Sequence, residues 1–310
     1  MQVFWKPVES VKIRTRHWLV LLTLVALWGS SYLMVEIALA VWRPAQITGL
    51  RILTAAVVLF AAMAWRRQRL PGNLKSWGYF LAIAVIGNCL PFFLISWGQQ
   101  EVESGLAGIL AATTPLAVLI LAHFTLADER LGVRQVLGFV SGFAGIVVLM
   151  GPDSMAALGG SASRLLSQLA IFAGALCYAI ATVTARSMPA TSPLVASTGV
   201  ILLAAVITGP YSVDAALLLS GVSWQAGAAI GFLGLLGTGM ASILYFYLVA
   251  QTSARFTSLL NYLVPVWAVG LGAWVLGEKL PLNSWLALSL IFLALILVSR
   301  STSIMTRAKH

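Results

Sequence analysis

An all-α integral membrane fold is predicted, with ten transmembrane helices arranged as two inverted five-helix repeats. Apolar stretches of about 20 residues, separated by short polar breaks, recur from Trp18 to Arg300. At about 1.5 Å rise per residue, such a stretch spans the hydrocarbon of a bilayer. The chain is 60% hydrophobic and 9% charged, with a mean hydropathy of +0.96. A water-soluble domain of this size has no interior large enough for that much apolar surface. The third observation is a repeat of the pattern at an offset of 150 residues.

The elements follow in order. A basic arm, 1–17, reads as cytoplasmic and precedes the first span, 18–39. Its basic start and Ala38-Leu39-Ala40 imitate a secretory signal, but the apolar run is too long and carries Glu36, so it reads as a retained span. Spans two to five are placed at 44–64, 76–98, 104–126 and 133–150. The first repeat therefore covers 18–150. A Gly/Ser-rich break at 151–164 reads as an extracytoplasmic linker. Spans six to ten follow at 165–186, 193–211, 224–249, 255–276 and 282–298, giving a second repeat over 165–300 and a cytoplasmic tail, 301–310. Gly209-Pro210 cuts the end of the seventh span, and 215–220 has room for an extra helical turn.

Charge sets the orientation. With both termini in the cytoplasm, only Arg43, Arg51, Arg164 and Lys279 of the 19 basic residues fall on the outer side. Cytoplasmic loops carry such an excess of Lys and Arg. Because the basic residues cluster at span ends (Lys6, Lys12, Arg14, Arg16; Arg66, Arg67, Arg69, Lys75), the net charge of +10 is a topology signal and not a nucleic-acid surface. Cys89 and Cys177 lie inside apolar runs, without metal-ligand spacing, and read as small core residues.

The repeat is legible in detail. Trp97 to Pro115 and Tyr247 to Pro265 are separations of equal length, and an acidic residue follows each proline, at Asp128-Glu129 and Glu278. Ala26-Leu27-Trp28 is echoed by Ala175-Leu176-Cys177. An odd number of spans per half forces the second half to insert upside down, an arrangement characteristic of secondary transporters with a site near the midplane.

Motifs along the chain resemble those of the EamA family in the drug/metabolite transporter superfamily. They are ALWGSSYLMVEIAL in the first span, GLRILTAAVVL in the second, SGLAGILAATTPLAVLILAHFTLADERL in the fourth, GFVSGFAGIVVLMGP in the fifth, and a closing GEKLP. The resemblance implies ten helices in two inverted repeats, and movement of small metabolites, often amino acids, usually outward. Within the family the chain is similar to bacterial exporters of aromatic amino acids, the YddG type.

Polar side chains within spans mark the candidate substrate site, because such groups face the bundle interior. On the first span Trp28, Tyr32 and Glu36 share a face, with Ser31 beside them. The third gives Asn88, Phe92, Ser96 and Gln99 around the helix-breaking Pro91. The fourth gives Thr113 and Thr114 before Pro115, and the sixth Tyr178 and Thr182. The eighth gives Thr238, Ser242 and Tyr245, and the ninth Ser258, Asn261 and Tyr262 before Pro265. Each Ser or Thr has an alternative role, bonding its own helix. Glu36, and after it His123, are the candidates for proton coupling. Arg51 has three readings: holding a substrate carboxylate, pairing with Glu36, or snorkelling to the outer surface. The glycine pairs Gly138/Gly142 and Gly227/Gly231 are assigned to close helix packing. Leu290 is expected to face lipid.

One buried carboxylate and one buried cation leave a largely neutral, aromatic site, suited to neutral or zwitterionic guests with an apolar part. The partners implied are a small-molecule substrate and the lipid bilayer, with no obligate protein partner and no cofactor. His17, His123 and His310 lie far apart, and no Ser/His/Asp set is visible, so neither an enzyme nor a metal centre is expected. The competing function is a broad-specificity, proton-coupled drug or metabolite efflux pump.

Overall fold

The computed structural model describes residues 14–114, 162–189, 191–212, 223–252, 260–278 and 281–307, with 117, 118, 121 and scattered positions between 133 and 148. At 162, 186, 246, 249, 250, 261, 262, 295 and 298–307 it describes the backbone alone. Most of the fourth and fifth spans, Pro115, His123, the linker 151–161 and the segment 215–220 lie outside the described residues.

All regular structure among the described residues is helical. Helix α1 is Thr15–Leu39 and α2 is Pro44–Trp65. Pro44 opens α2 where a missing N–H costs nothing, and the Gln46 side chain accepts from the Arg43 N–H at 2.8 Å. Helix α3, Leu74–Gly98, starts at Asn73, whose side chain accepts from the Ser76 N–H at 2.8 Å. Its middle, Val85–Cys89, is π-helical, just before Pro91. Helix α4 is Ser104–Ala111, α5 is Ala162–Arg186, and α6 is Pro193–Thr208, ending in a 3₁₀ turn at Gly209–Tyr211. Helix α7 begins as Trp224–Gly231, continues through a second π segment at Phe232–Met240, and ends as Ala241–Gln251. Helices α8, Leu260–Val275, and α9, Leu282–Arg307, complete the chain.

Six of these helices are long and apolar enough to cross a membrane; Leu263–Val275 and Leu282–Ala294 are shorter apolar stretches. Helix α9 continues to Arg307, so the expected tail is helical over most of its length. Exposed tryptophans sit near helix ends, at Trp65 on α2, Trp224 on α7 and Trp274 on α8, as interfacial aromatic belts require.

The core joins helices from before and after the linker. One buried cluster joins Ile52 and Leu59 of α2 and Phe80 of α3 to Val200 and Ala204 of α6. Others join Leu21 and Leu24 of α1 to Ala241 and Leu248 of α7, and Leu106 and Leu110 of α4 to Val269 of α8 and Ile291 of α9. Cross-linker packing is most extensive between α3 and α5, α1 and α7, α2 and α6, α2 and α7, and α1 and α8.

Two assignments are corrected. A Cβ on Gly227 or Gly231 would meet nothing within 4 Å, so neither lets helices approach. The close approaches are elsewhere: a Cβ on Gly98 would lie 2.5 Å from the Ser167 carbonyl of α5, and one on Gly234 3.0 Å from the Arg51 carbonyl of α2. Leu290 is half-buried, with its Cβ 3.3 Å from where a Cβ on Gly145 would stand, and its carbonyl accepts from the Ser141 hydroxyl at 3.0 Å; Leu293, 48% exposed, faces outward.

Candidate functional site

The polar centre assembles around Arg51 on α2. Its side chain is 9% exposed. Nε donates to Thr238 Oγ1 at 2.7 Å, in the π segment of α7. The guanidinium lies 3.9 Å from the centroid of Phe92, one turn past the π segment of α3. Phe92 in turn meets the Tyr178 ring of α5 edge-on, with centroids 6.4 Å apart. Arg51 thus joins α2, α3 and α7, with Tyr178 of α5 and Tyr32 of α1 in electrostatic reach. Two of its three sequence readings fall: it neither snorkels outward nor pairs with Glu36.

The local backbone explains why this can form. Each π segment widens its helix by one residue per turn and shifts the side chains that follow. In α3 the cause is Pro91, which cannot donate to the preceding turn. In α7 the segment FLGLLGTGM carries three glycines, and Gly234 lets α7 lie against the backbone of α2 at Arg51. Thr238 then falls opposite Arg51.

The first-span stripe faces the same interior. Trp28 packs against Tyr245 of α7, with centroids 5.4 Å apart. Ser31 is buried and donates to the Leu27 carbonyl at 2.9 Å. Tyr32 packs against the α4–α8–α9 cluster, and its carbonyl accepts from Gln99 Nε2 at 2.8 Å. Beyond it, Glu36 Oε2 and Gln99 Oε1 are both buried without a hydrogen-bond donor.

Other candidates spend their polar atoms locally. Asn88 donates to the Ile83 carbonyl at 3.3 Å, Thr113 to Leu110, Thr114 to Ala111, and Ser242 to Thr238. Ser96 is buried. Thr182 is exposed and donates to the Tyr178 carbonyl, so it stands apart from the cluster. The side chains of Asn261 and Tyr262, and all of Ser258 and His123, lie outside the described residues.

Glu278, after α8, accepts from the Ser104 N–H and hydroxyl at 3.0 and 2.6 Å, and from the Gly105 N–H at 3.0 Å. A carboxylate at a helix N-terminus satisfies orphan donors and meets the positive end of the dipole. Gly277, at φ +67°, turns the chain so that Glu278 can reach back. Two clefts open at the ends of the bundle. One, about 340 Å³, lies between Gln68, Arg69, Asn73 and Thr191, Ser192; the other, about 220 Å³, between Trp97, Glu101 and Ser163, Ser167.

The sequence marked Arg51, Thr238 and Gln99 as polar groups within apolar spans, without pairing them. A lone basic residue within an apolar span was the available signal for Arg51. Nothing local pointed to the pairing of Arg51 with Thr238, which lies 187 residues away in sequence.

Comparison with known proteins decides the family. The model of the EamA-like transporter family matches twice, over residues 16–151 and 165–300. The chain belongs to the EamA-like transporter family. It is 30% identical over 288 residues to the "Uncharacterized inner membrane transporter YedA" of Escherichia coli K12, covering 90% of this chain and 89% of that one. It is 24% identical to the "Uncharacterized transporter YoaV" of Bacillus subtilis 168, over 85% of this chain and 89% of the relative. Protein PagO of Salmonella typhimurium LT2 is 25% identical, with 94% and 96% covered. One crystal structure aligns with 96% of this chain and 100% of its own at a TM-score of 0.62 and 20% identity, which shows a shared fold. This EamA-family chain is a membrane transporter; family and relatives are described as transporters and not as enzymes.

Proposed function

We propose that this EamA protein is a secondary transporter that exports small neutral or zwitterionic metabolites, amino acids including aromatic ones, by alternating access. The substrate occupies a central cavity between two inverted five-helix halves, 18–150 and 165–300, which rock about it. The observation that carries this reading is the interior centred on Arg51. Residues from both sides of the linker converge there, aromatic side chains dominate, and one buried cation stands without a carboxylate.

The paired π segments add support. Val85–Cys89 lies about 11 residues into α3 and Phe232–Met240 about 8 into α7, and these helices are equivalent under the repeat. Interrupted helices at corresponding positions of two halves mark a transport site. The aromatic lining of Trp28, Tyr245, Phe92 and Tyr178 fits an aromatic guest of the YddG type. The proposed location is the bacterial inner membrane, with both termini cytoplasmic. Transport runs down the substrate's own gradient, without obligatory proton coupling through Glu36 or His123.

The test is counterflow in proteoliposomes against a panel of labelled amino acids, nucleosides and cationic dyes. Accumulation of large neutral amino acids over protein-free vesicles is expected. Movement of the dyes alone, driven by an imposed pH gradient, overturns the reading in favour of a proton-coupled efflux pump.

A further inference from the structure

Away from the Arg51 centre, the cleft of about 340 Å³ is lined by Gln68, Arg69, Asn73, Ser76, Thr191 and Ser192. Two loops frame it: 66–73 between α2 and α3, and 187–192 between α5 and α6. Arg66, Arg67, Arg69 and Lys75 crowd the first loop and the start of α3. No Asp or Glu occurs between Glu36 and Glu101, or between Asp153 and Asp214. The loops and the four helices that they join therefore supply no counter-charge. Among the described residues, no ion pair engages any of the four cations.

The backbone holds this basic loop in a disfavoured shape. Helix α2 closes with the Gln68 N–H on the Met63 carbonyl at 3.1 Å and the Arg67 N–H on the Ala64 carbonyl at 2.9 Å. That closure needs a left-handed residue just past the helix, ordinarily glycine. Arg67 takes the position instead, at φ 51°, against the clash that a Cβ brings there.

The lining offers donors. Ser192 stands at the start of α6 but makes no cap bond; its hydroxyl donates to Gln68 Oε1 at 2.9 Å. The first turn of α6, where Val195 also lines the cleft, thus keeps N–H groups that its cap residue does not satisfy. The Gln68 amide nitrogen has no acceptor among the described residues. Ser76 is 1% exposed, and its N–H is taken by Asn73 Oδ1 at 2.8 Å. Its hydroxyl has no hydrogen-bond partner among the described residues. A buried hydroxyl left so is costly, and a ligand oxygen in the cleft relieves it.

Cations and free donors without a carboxylate call for an anion with several acceptor oxygens. Trp65 and Leu74, 85% and 87% exposed, bracket the basic loop, and the Arg66 guanidinium lies 6.0 Å from the Trp65 ring centroid. Aromatic side chains beside cations sit at the headgroup level of a bilayer. We propose that this cleft binds a phosphate group, that of an anionic phospholipid. Basic pockets between helices on the cytoplasmic side are suited to such headgroups, and in the proposed orientation the α2–α3 loop is cytoplasmic. A choline headgroup brings a further cation to the four already there and is disfavoured. The site is separate from the transport site, and its test does not depend on transport.

The test takes purified, delipidated full-length protein and counts bound lipid by native mass spectrometry in equimolar phosphatidylglycerol and phosphatidylcholine. The wild type is expected to hold phosphatidylglycerol in preference by about fivefold or more, the weight of one basic residue at an anionic membrane surface. Arg69→Gln should bring the preference to about parity. Ser76→Ala changes no charge and should lower it by about threefold, the loss of one hydrogen bond. Arg66→Gln, in the same loop but outside the lining, should lower it less than Arg69→Gln does. Equal losses in the two arginine variants, with Ser76→Ala like the wild type, mean diffuse attraction to a basic surface and overturn the site. Equal retention of the two lipids by the wild type overturns it as well. Arg69 is exposed, and Ser76→Ala keeps the N–H that Asn73 caps, so both variants should melt like the wild type in the absence of lipid. Inorganic phosphate and glycerol 3-phosphate separate the sources. Neither is expected to displace phosphatidylglycerol at equal concentration. Displacement by inorganic phosphate, weakened in Ser76→Ala, makes the soluble ion the occupant and overturns the lipid.

Discussion

Arg51 shows how a single residue ties the sequence to the interior of the bundle. Its hydrogen bond to Thr238 involves an ionised donor, a class worth about 1.5–3 kcal/mol. Thr238→Val should therefore lower thermal stability in detergent, while Thr238→Ser should keep most of it. Equal melting temperatures for the two variants would show that the contact carries no weight. At this scale the sequence was only partly legible. Arg51, Trp28, Tyr32, Phe92 and Tyr178 stood out as polar or aromatic groups within apolar runs. Hydroxyls did not sort themselves, because Thr113, Thr114, Thr182 and Ser242 all bond carbonyls of their own helices. That bond is available to any helical Ser or Thr, so residue type cannot separate a cavity wall from a self-satisfied helix.

At the scale of elements, the apolar runs were legible and their irregularities were not. Helix starts and ends follow from Pro44, Asn73, Pro193 and Ser223 at N-termini and Gly277 at a C-terminus. Pro91 announced a distortion in α3. The π segment in α7 has no proline, and the periodicity of an all-apolar run does not reveal it. Glycine spacing misled for a related reason: Gly227 and Gly231 have helix-packing spacing, but none of the described residues lies within 4 Å of a Cβ built there. Gly234→Ala should cost about 1–3 kcal/mol, because the methyl meets Thr54 and the Arg51 carbonyl. Gly227→Ala should be neutral or stabilising by up to about 1 kcal/mol from helix propensity alone. Melting temperatures of the pair check this, and equal destabilisation would refute the packing described. Glu278 makes the other element-level claim. Glu278→Gln weakens the cap on α4, so the Ser104 and Gly105 amides should exchange hydrogen faster, with interior amides of α2 unchanged. Unaltered exchange at Ser104 would deny the cap its role.

For the whole molecule, membrane residence and the double repeat were written in hydropathy and in the 150-residue echo, and the family match covers both segments. The mixing of helices across the linker was not, since apolar clusters carry no addresses. Orientation is tested with reporters: one fused after Lys309 should be cytoplasmic and one inserted near Ser161 extracytoplasmic. Both on one side would remove the five-plus-five inverted arrangement. Coupling is tested by an imposed pH gradient, which should leave net transport unaccelerated, with Glu36→Gln retaining substantial counterflow. Acceleration that Glu36→Gln abolishes would make Glu36 the coupling residue.

Alternating access to one site between the halves is tested most directly by thiol labelling from each side of the membrane. Single cysteines at Ser31, Asn88 and Ser242, in a background with Cys89 and Cys177 replaced, are exposed to a membrane-impermeant reagent in right-side-out and in inverted vesicles. The account predicts labelling from both sides, suppressed by L-phenylalanine, with a cysteine at Leu293 unaffected by substrate. Labelling from one side only, or no better than at Leu293, would contradict it.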